Sequence, residues 1–141
     1  MDDVIRFVVP GEPVGKGRPR IVTYNGHTHG YTPAKTASYE NLVKLMFREQ
    51  TDRPYFDRNH ELALRIDARF AIPKSAGKRA RHEMEIGIRR PTKKPDADNL
   101  IKTIADALNG LAYHDDSQIV YAEVMKHYGE QPETIVTLWE L

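Results

Sequence analysis

Asp98-Asn99-Leu100-Ile101-Lys102-Thr103-Ile104-Ala105-Asp106-Ala107-Leu108-Asn109-Gly110 is the stretch on which the reading of this chain turns. Leu100, Ile101, Ile104, Ala105 and Leu108 recur at helical spacing and make one apolar face. Asn109-Gly110 supplies the stop, so the spacing predicts a helix from Asp98 to Leu108 whose other face holds Asp98, Lys102 and Asp106. On its N-terminal side, Leu62, Leu64, Ile66, Ala68 and Phe70 alternate with Ala63, Arg65, Asp67 and Arg69, the period of a strand with one buried face. On its C-terminal side, Ile119 to Lys126 and Thr134 to Leu138 read as two more strands, separated by Gly129-Glu130-Gln131-Pro132.

Towards the N-terminus, Val4 to Val9 is a short run rich in β-branched residues, ended by Pro10-Gly11, and predicts a first strand. Pro13-Val14-Gly15-Lys16-Gly17-Arg18-Pro19-Arg20 reads as an extended loop whose glycines let the backbone approach a ligand. Ile21 to Tyr24 is a short strand turned by Asn25-Gly26, and His27 and His29 fall in a solvated loop with no further metal ligand nearby. A helix starts near Pro33, with Thr32 as N-cap, Pro33 in the first helical position, and an apolar stripe of Tyr39, Leu42, Val43, Met46 and Phe47. Lys74 to about Glu85 forms a basic helix capped by Ser75. Strands mixed with two to three helices place residues 1–141 in one domain of the α/β (α+β) class, a small mixed β-sheet packed with helices. The order of the strands is not legible.

Composition narrows the function. With no cysteine among 141 residues, a disulfide scaffold, a cysteine nucleophile and a thiolate metal site are excluded, leaving His, Asp and Glu as metal ligands. No apolar run approaches the roughly 20 residues that span a bilayer, and no basic leader feeds an apolar run, so a cytoplasmic protein without a membrane partner is expected. The formal net charge is only +1, but Lys74, Lys78, Arg79, Arg81, Arg89, Arg90, Lys93 and Lys94 crowd one segment, whereas Lys126 is the only Lys or Arg beyond Asp115. Such asymmetry points to a polyanion docked on one face.

Two tight pairs of aspartates flank the central helix: Asp96 and Asp98 at its start, Asp115 and Asp116 beyond its end. Each pair has an ordinary explanation, the first as helix N-cap and dipole partner, the second as turn residues. One cap accounts for one aspartate only, and like charges at close range repel unless something positive lies between them. If the chain folds back after the helix, the second pair approaches the first, and carboxylates so gathered suit a hard divalent cation such as Mg²⁺. An EF-hand is excluded, because its loop needs an oxygen ligand at Leu100 and a glycine at Ile101. A D-x-D sugar-nucleotide site lacks its Gly-rich phosphate loop. Lys102, four residues after Asp98 and four before Asp106, is either an exposed ion-pair residue or a cation set to contact a scissile phosphate.

Taken together, Asp96-Ala97-Asp98-Asn99-Leu100-Ile101-Lys102, Asp106-Ala107-Leu108-Asn109-Gly110 and Asp115-Asp116-Ser117-Gln118-Ile119-Val120 closely resemble the motifs of RusA-type Holliday junction resolvases. Gly15-Lys16-Gly17-Arg18-Pro19-Arg20 and Tyr31-Thr32-Pro33 resemble segments of phage and prophage members, and the middle of the chain, about 51–94, matches least. The resemblance implies a homodimeric endonuclease that uses Mg²⁺, with Mn²⁺ as a substitute, to cut four-way junction DNA by paired nicks. By position, Asp96, Asp98 and Asp116 match the metal-binding acids and Lys102 the essential lysine, with Asp115 as an additional acid. Pro95 stands where a basic residue is common in the family, a role Lys93 or Lys94 takes over.

The residues lead the same way by themselves. Phosphodiester hydrolysis needs a nucleophilic water and stabilisation of developing charge, both of which bound Mg²⁺ supplies. Lys16, Arg18, Arg20, Lys93 and Lys94 are the expected contacts to the DNA backbone, positioning it without reading sequence. The alternatives are a junction-binding architectural protein without catalysis, which leaves the acids unexplained, and a nuclease for flaps or other branched DNA using the same site.

Overall fold

The computed structural model describes residues 4–17, 20–31 and 33–141; Arg18, and the Thr32 expected to cap the first helix, lie outside them. Four strands, β1 (Val4–Pro10), β6 (Glu133–Glu140), β4 (Leu62–Ala71) and β5 (Ile119–Gly129), form one sheet in the order β1-β6-β4-β5. β6 runs antiparallel to both β1 and β4, whereas β4 and β5 are parallel, so the sheet is mixed as the sequence predicts. A parallel pair needs a crossover of a dozen or more residues. Here the chain leaves β4 through α2 (Lys78–Glu85), α3 (Ala97–Leu108) and a 3₁₀ turn at Asp116–Gln118 before entering β5.

The alternation in β4 sends Leu62, Leu64, Ile66, Ala68 and Phe70 into the core, where they meet Phe7 and Val9 of β1 and Val136 and Leu138 of β6. α1 (Ala34–Gln50) adds Tyr39, Val43 and Phe47, and α3 adds Leu100, Ile104 and Leu108. Both helices therefore bury their apolar stripes on one face of the sheet. Gln50 finishes α1 by acting as a neighbour to the edge strand, accepting from Val8 N at 2.8 Å and donating to Val8 O at 2.7 Å. The opposite sheet face is polar, with Arg65 bridging Asp67 at 3.0 Å and Glu123 at 2.9 Å. Among the described residues, no helix is long and apolar enough to cross a membrane.

Three local expectations change. Pro33 is the N-cap of α1, with extended backbone, and not its first helical residue. α2 begins at Lys78 with Gly77 as N-cap, because Pro73 to Ala76 close a turn first (Ala76 N to Pro73 O, 3.1 Å); Ser75 sits in that turn and caps nothing. His27 and His29 stand on a strand, β3 (His27–Tyr31), paired antiparallel with β2 (Arg20–Tyr24), where a loop was expected. Asn25 at φ 49° and Gly26 at φ 77° give the turn two left-handed residues, the geometry that matches the twist of a hairpin.

Candidate active site

α3 carries the first acidic pair. Asp96 occupies the N-cap position with extended backbone, φ −70° and ψ 156°, and its carbonyl accepts from Leu100 N at 3.1 Å. Its side chain makes no cap hydrogen bond, so the ordinary explanation for this aspartate does not hold. Asp98 follows in the first turn, and both carboxylates are exposed. Lys93 and Lys94, also exposed, precede them directly. The segment is pinned to the C-terminal end of the sheet, where Lys126 Nζ donates to Lys93 O and both ammonium groups lie over the Phe70 ring, at 5.9 Å for Lys93 and 5.6 Å for Lys126.

The second pair divides into two roles. Asp115 is the N-cap of the 3₁₀ turn: its carboxylate accepts from Ser117 N at 3.1 Å, while Gln118 Oε1 accepts from Asp115 N at 3.0 Å, completing a capping box. The Ser117 hydrogen bonds hold the Asp115 carboxyl below the usual carboxylate range. Gln118 is buried and also donates to Asp57 O at 2.6 Å, which ties the turn to the loop before β4. Asp116 comes next, half-buried, with no hydrogen bond to its carboxylate among the described residues.

The expected approach of the two pairs is not what one chain does. Asp96 and Asp98 open α3, and the ten further residues to Leu108 advance about 15 Å along the axis before the chain turns back. β5 gives a second ruler: Asp116 lies just before its first residue, Ile119, whereas Lys93, which leads into the first pair, is hydrogen-bonded to Lys126, about 20 Å further along the strand. Among the described residues, no three His, Asp or Glu side chains converge closely enough to hold a metal. The oxygen donors suit a hard cation, but within one chain they do not surround a single point.

What gathers around Asp116 instead is a buried phenol. The Tyr113 hydroxyl donates to Ala105 O at 2.6 Å, satisfying a carbonyl near the end of α3 that the helix leaves open, since Asn109 N turns to Asp106 O. Burial, and then the negative charges of Asp116, Asp106 and Asp115, push its ionisation well above the ordinary tyrosine range.

Lys102 is exposed, with its ammonium 3.9 Å from Asp106 Oδ2, the exposed pair its spacing allows. The principal partner of Asp106 is Lys16, at 3.1 Å. Lys16, expected on the DNA backbone, instead closes its ammonium between Asp106 and Glu40 (3.2 Å) with its side chain only 16% exposed. Burial works to lower its pKa, but hydrogen bonds to Asp106 and Glu40 outweigh this and hold it above the usual lysine value. The loop around it is fitted to α3 and α1: Lys16 N donates to Asn99 O at 3.2 Å and Gly17 N to Thr36 Oγ1 at 3.0 Å. A Cβ on Gly15 would stand 2.6 Å from Pro95 Cβ, and one on Gly17 2.9 Å from Thr36 Oγ1, so both glycines serve close approach to protein. Arg20 opens β2.

Comparison with known proteins places the chain among relatives. A protein of Bacillus subtilis (strain 168), described as uncharacterized protein YqaN, is 39% identical over 141 residues, covering 99% of this chain and 98% of that protein. The family model described as endodeoxyribonuclease RusA matches residues 10–139. RusA nucleases are in general dependent on a divalent metal. With almost its whole length matched, the chain belongs to the RusA endodeoxyribonuclease family and is a DNA endonuclease.

Proposed function

We propose that residues 1–141 form one endonuclease domain that resolves Holliday junctions by paired nicks, in DNA recombination and repair in the cytoplasm. The observation that carries this reading is the pair Asp96 and Asp98: two exposed carboxylates without a partner among the described residues, beside Lys93, Lys94 and, one helical turn on, Lys102. Clustered acids of this kind, set among cations that attract phosphate, suit hydrolysis of a phosphodiester better than they suit binding alone. Asp96, Asp98 and Asp116 would hold Mg²⁺, or Mn²⁺ in its place, and Lys102 would face the scissile phosphate. Asp115, engaged in its capping box, supports the turn that presents Asp116.

The separation of the acids along α3 and β5 supports a homodimer as the working form. A two-fold partner supplies a second Asp116, and a four-way junction offers two symmetrically placed strands to such a dimer. Cleavage of a synthetic four-way junction, against linear duplex and flap controls, with Mg²⁺ or EDTA, tests the reading in wild type and Asp98→Asn. The expected result is symmetric, metal-dependent nicking that Asp98→Asn abolishes while junction binding persists. Tight junction binding without cleavage by the wild type under varied metals would establish the architectural alternative. Preference for flaps would assign the same site to branched DNA in general.

A further inference from the structure

A cleft of about 500 Å³ lies beside the first acidic pair, between the loop 13–17, the start of α1 and the segment leading into α3. Its walls come from three separate parts of the chain, with Pro13, Gly15, Lys35, Thr36, Lys94 and Asn99 among them. The close seating of Gly15 on Pro95 and of Gly17 on Thr36, with Lys16 locked between Glu40 and Asp106, makes it a preformed feature. Among the described residues, no Asp or Glu lines it. Of its three lysines, Lys16 is neutralised, while Lys35 and Lys94 are exposed and have no carboxylate partner among the described residues. The cleft therefore presents these two positive charges and the Asn99 amide against proline and valine walls that suit sugar and base.

We propose that this cleft seats the phosphodiester backbone of a single DNA strand next to the position of cleavage, with Lys35 as a phosphate contact. Its wall residues Pro95 and Asn99 bracket Asp96 and Asp98 in the chain, so a strand lying in it runs directly onto those carboxylates. Its volume falls within the roughly 300–1,000 Å³ of clefts that enclose small ligands, a size that matches part of one strand better than a duplex. The site thus favours DNA whose strands part, as they do at the centre of a branched junction. That the ligand is DNA follows from the family, and the inference takes from the preceding reading only that Asp96 and Asp98 mark the position of cleavage.

The test is titration with a short oligothymidylate in the absence of divalent metal, followed by amide chemical shifts in the wild-type protein and by affinity in Lys35→Glu. Arg48→Glu, an exposed cation in the last turn of the same helix, is the control. The expected result is shifts concentrated at Gly15, Gly17, Thr36 and Asn99, and a loss of affinity of about tenfold in Lys35→Glu only. The slope of log affinity against log salt should shrink by about 0.7 for a lost single-strand phosphate contact. Shifts that leave the cleft silent, absence of binding, or equal effects of the two substitutions would overturn the assignment. Junction cleavage by the same preparations separates the two proposals: an oligonucleotide seated in the cleft of a protein that cuts no junction removes the resolvase reading alone. Efficient cutting with an indifferent cleft removes this one alone.

Discussion

Lys16 stands between Glu40 and Asp106, residues that sequence distance keeps far from it, and this single ammonium joins the loop, α1 and α3. Spacing shows only the i,i+4 relation of Lys102 to Asp106, which is why the stronger partner was invisible to it. Lys16→Met should lower the urea midpoint by the equivalent of about 1 kcal/mol with an unchanged slope, because it leaves two part-buried carboxylates facing each other. The pH dependence has a definite sign. A lysine held above its ordinary value contributes fully below that value and loses its contribution as pH climbs through the raised one, so the wild-type advantage should be flat from pH 6 to 9. An equal midpoint for both proteins would contradict a structural role. The different surroundings of Asp115 and Asp116, by contrast, were open to sequence: Asp115 with Gln118 three residues on has the outline of a capping box, which leaves the Asp116 carboxylate outside it.

At the scale of elements, α3 and β4 were legible because each is strictly periodic over ten or more residues and packs by that period. The start of α2 was not, since a serine that can cap says nothing about a turn that forms first at Pro73. The β2–β3 hairpin escaped in its second strand because His27, Thr28, His29 and Gly30 show no apolar alternation; its pairing rests on the Asn25-Gly26 turn. The open face of the sheet is held by charge. Arg65 and His127 both bond Asp67, and Arg65 reaches across to Glu123 on β5. Burial would raise the Asp67 pKa, but the hydrogen bonds from Arg65 and His127 prevail and lower it. Its contribution is therefore present above the ordinary aspartate value and lost as pH falls through the lowered one. Asp67→Asn should cost about 1 kcal/mol at pH 7, and thermal unfolding should show the gap closing only below about pH 4. A gap that persists undiminished at pH 2.5 would mean that packing, not ionisation, carries the effect.

On the scale of the whole molecule, the class of fold could be read from sequence, but the distance between the candidate acids could not. A motif compressed into some twenty residues suggests a compact site; a straight helix inside it pulls the ends apart. The proposed homodimer turns that separation into an expectation about mixtures. If each site takes Asp98 from one protomer and Asp116 from the other, Asp98→Asn and Asp116→Asn homodimers are both inactive, yet a mixed dimer has one site with both changes and one site intact. Mixing the two inactive proteins under conditions that exchange subunits should then restore single-strand nicking of a four-way junction without paired cleavage. If both acids act within one protomer, each site of the mixed dimer lacks one carboxylate, and no nicking returns at any ratio.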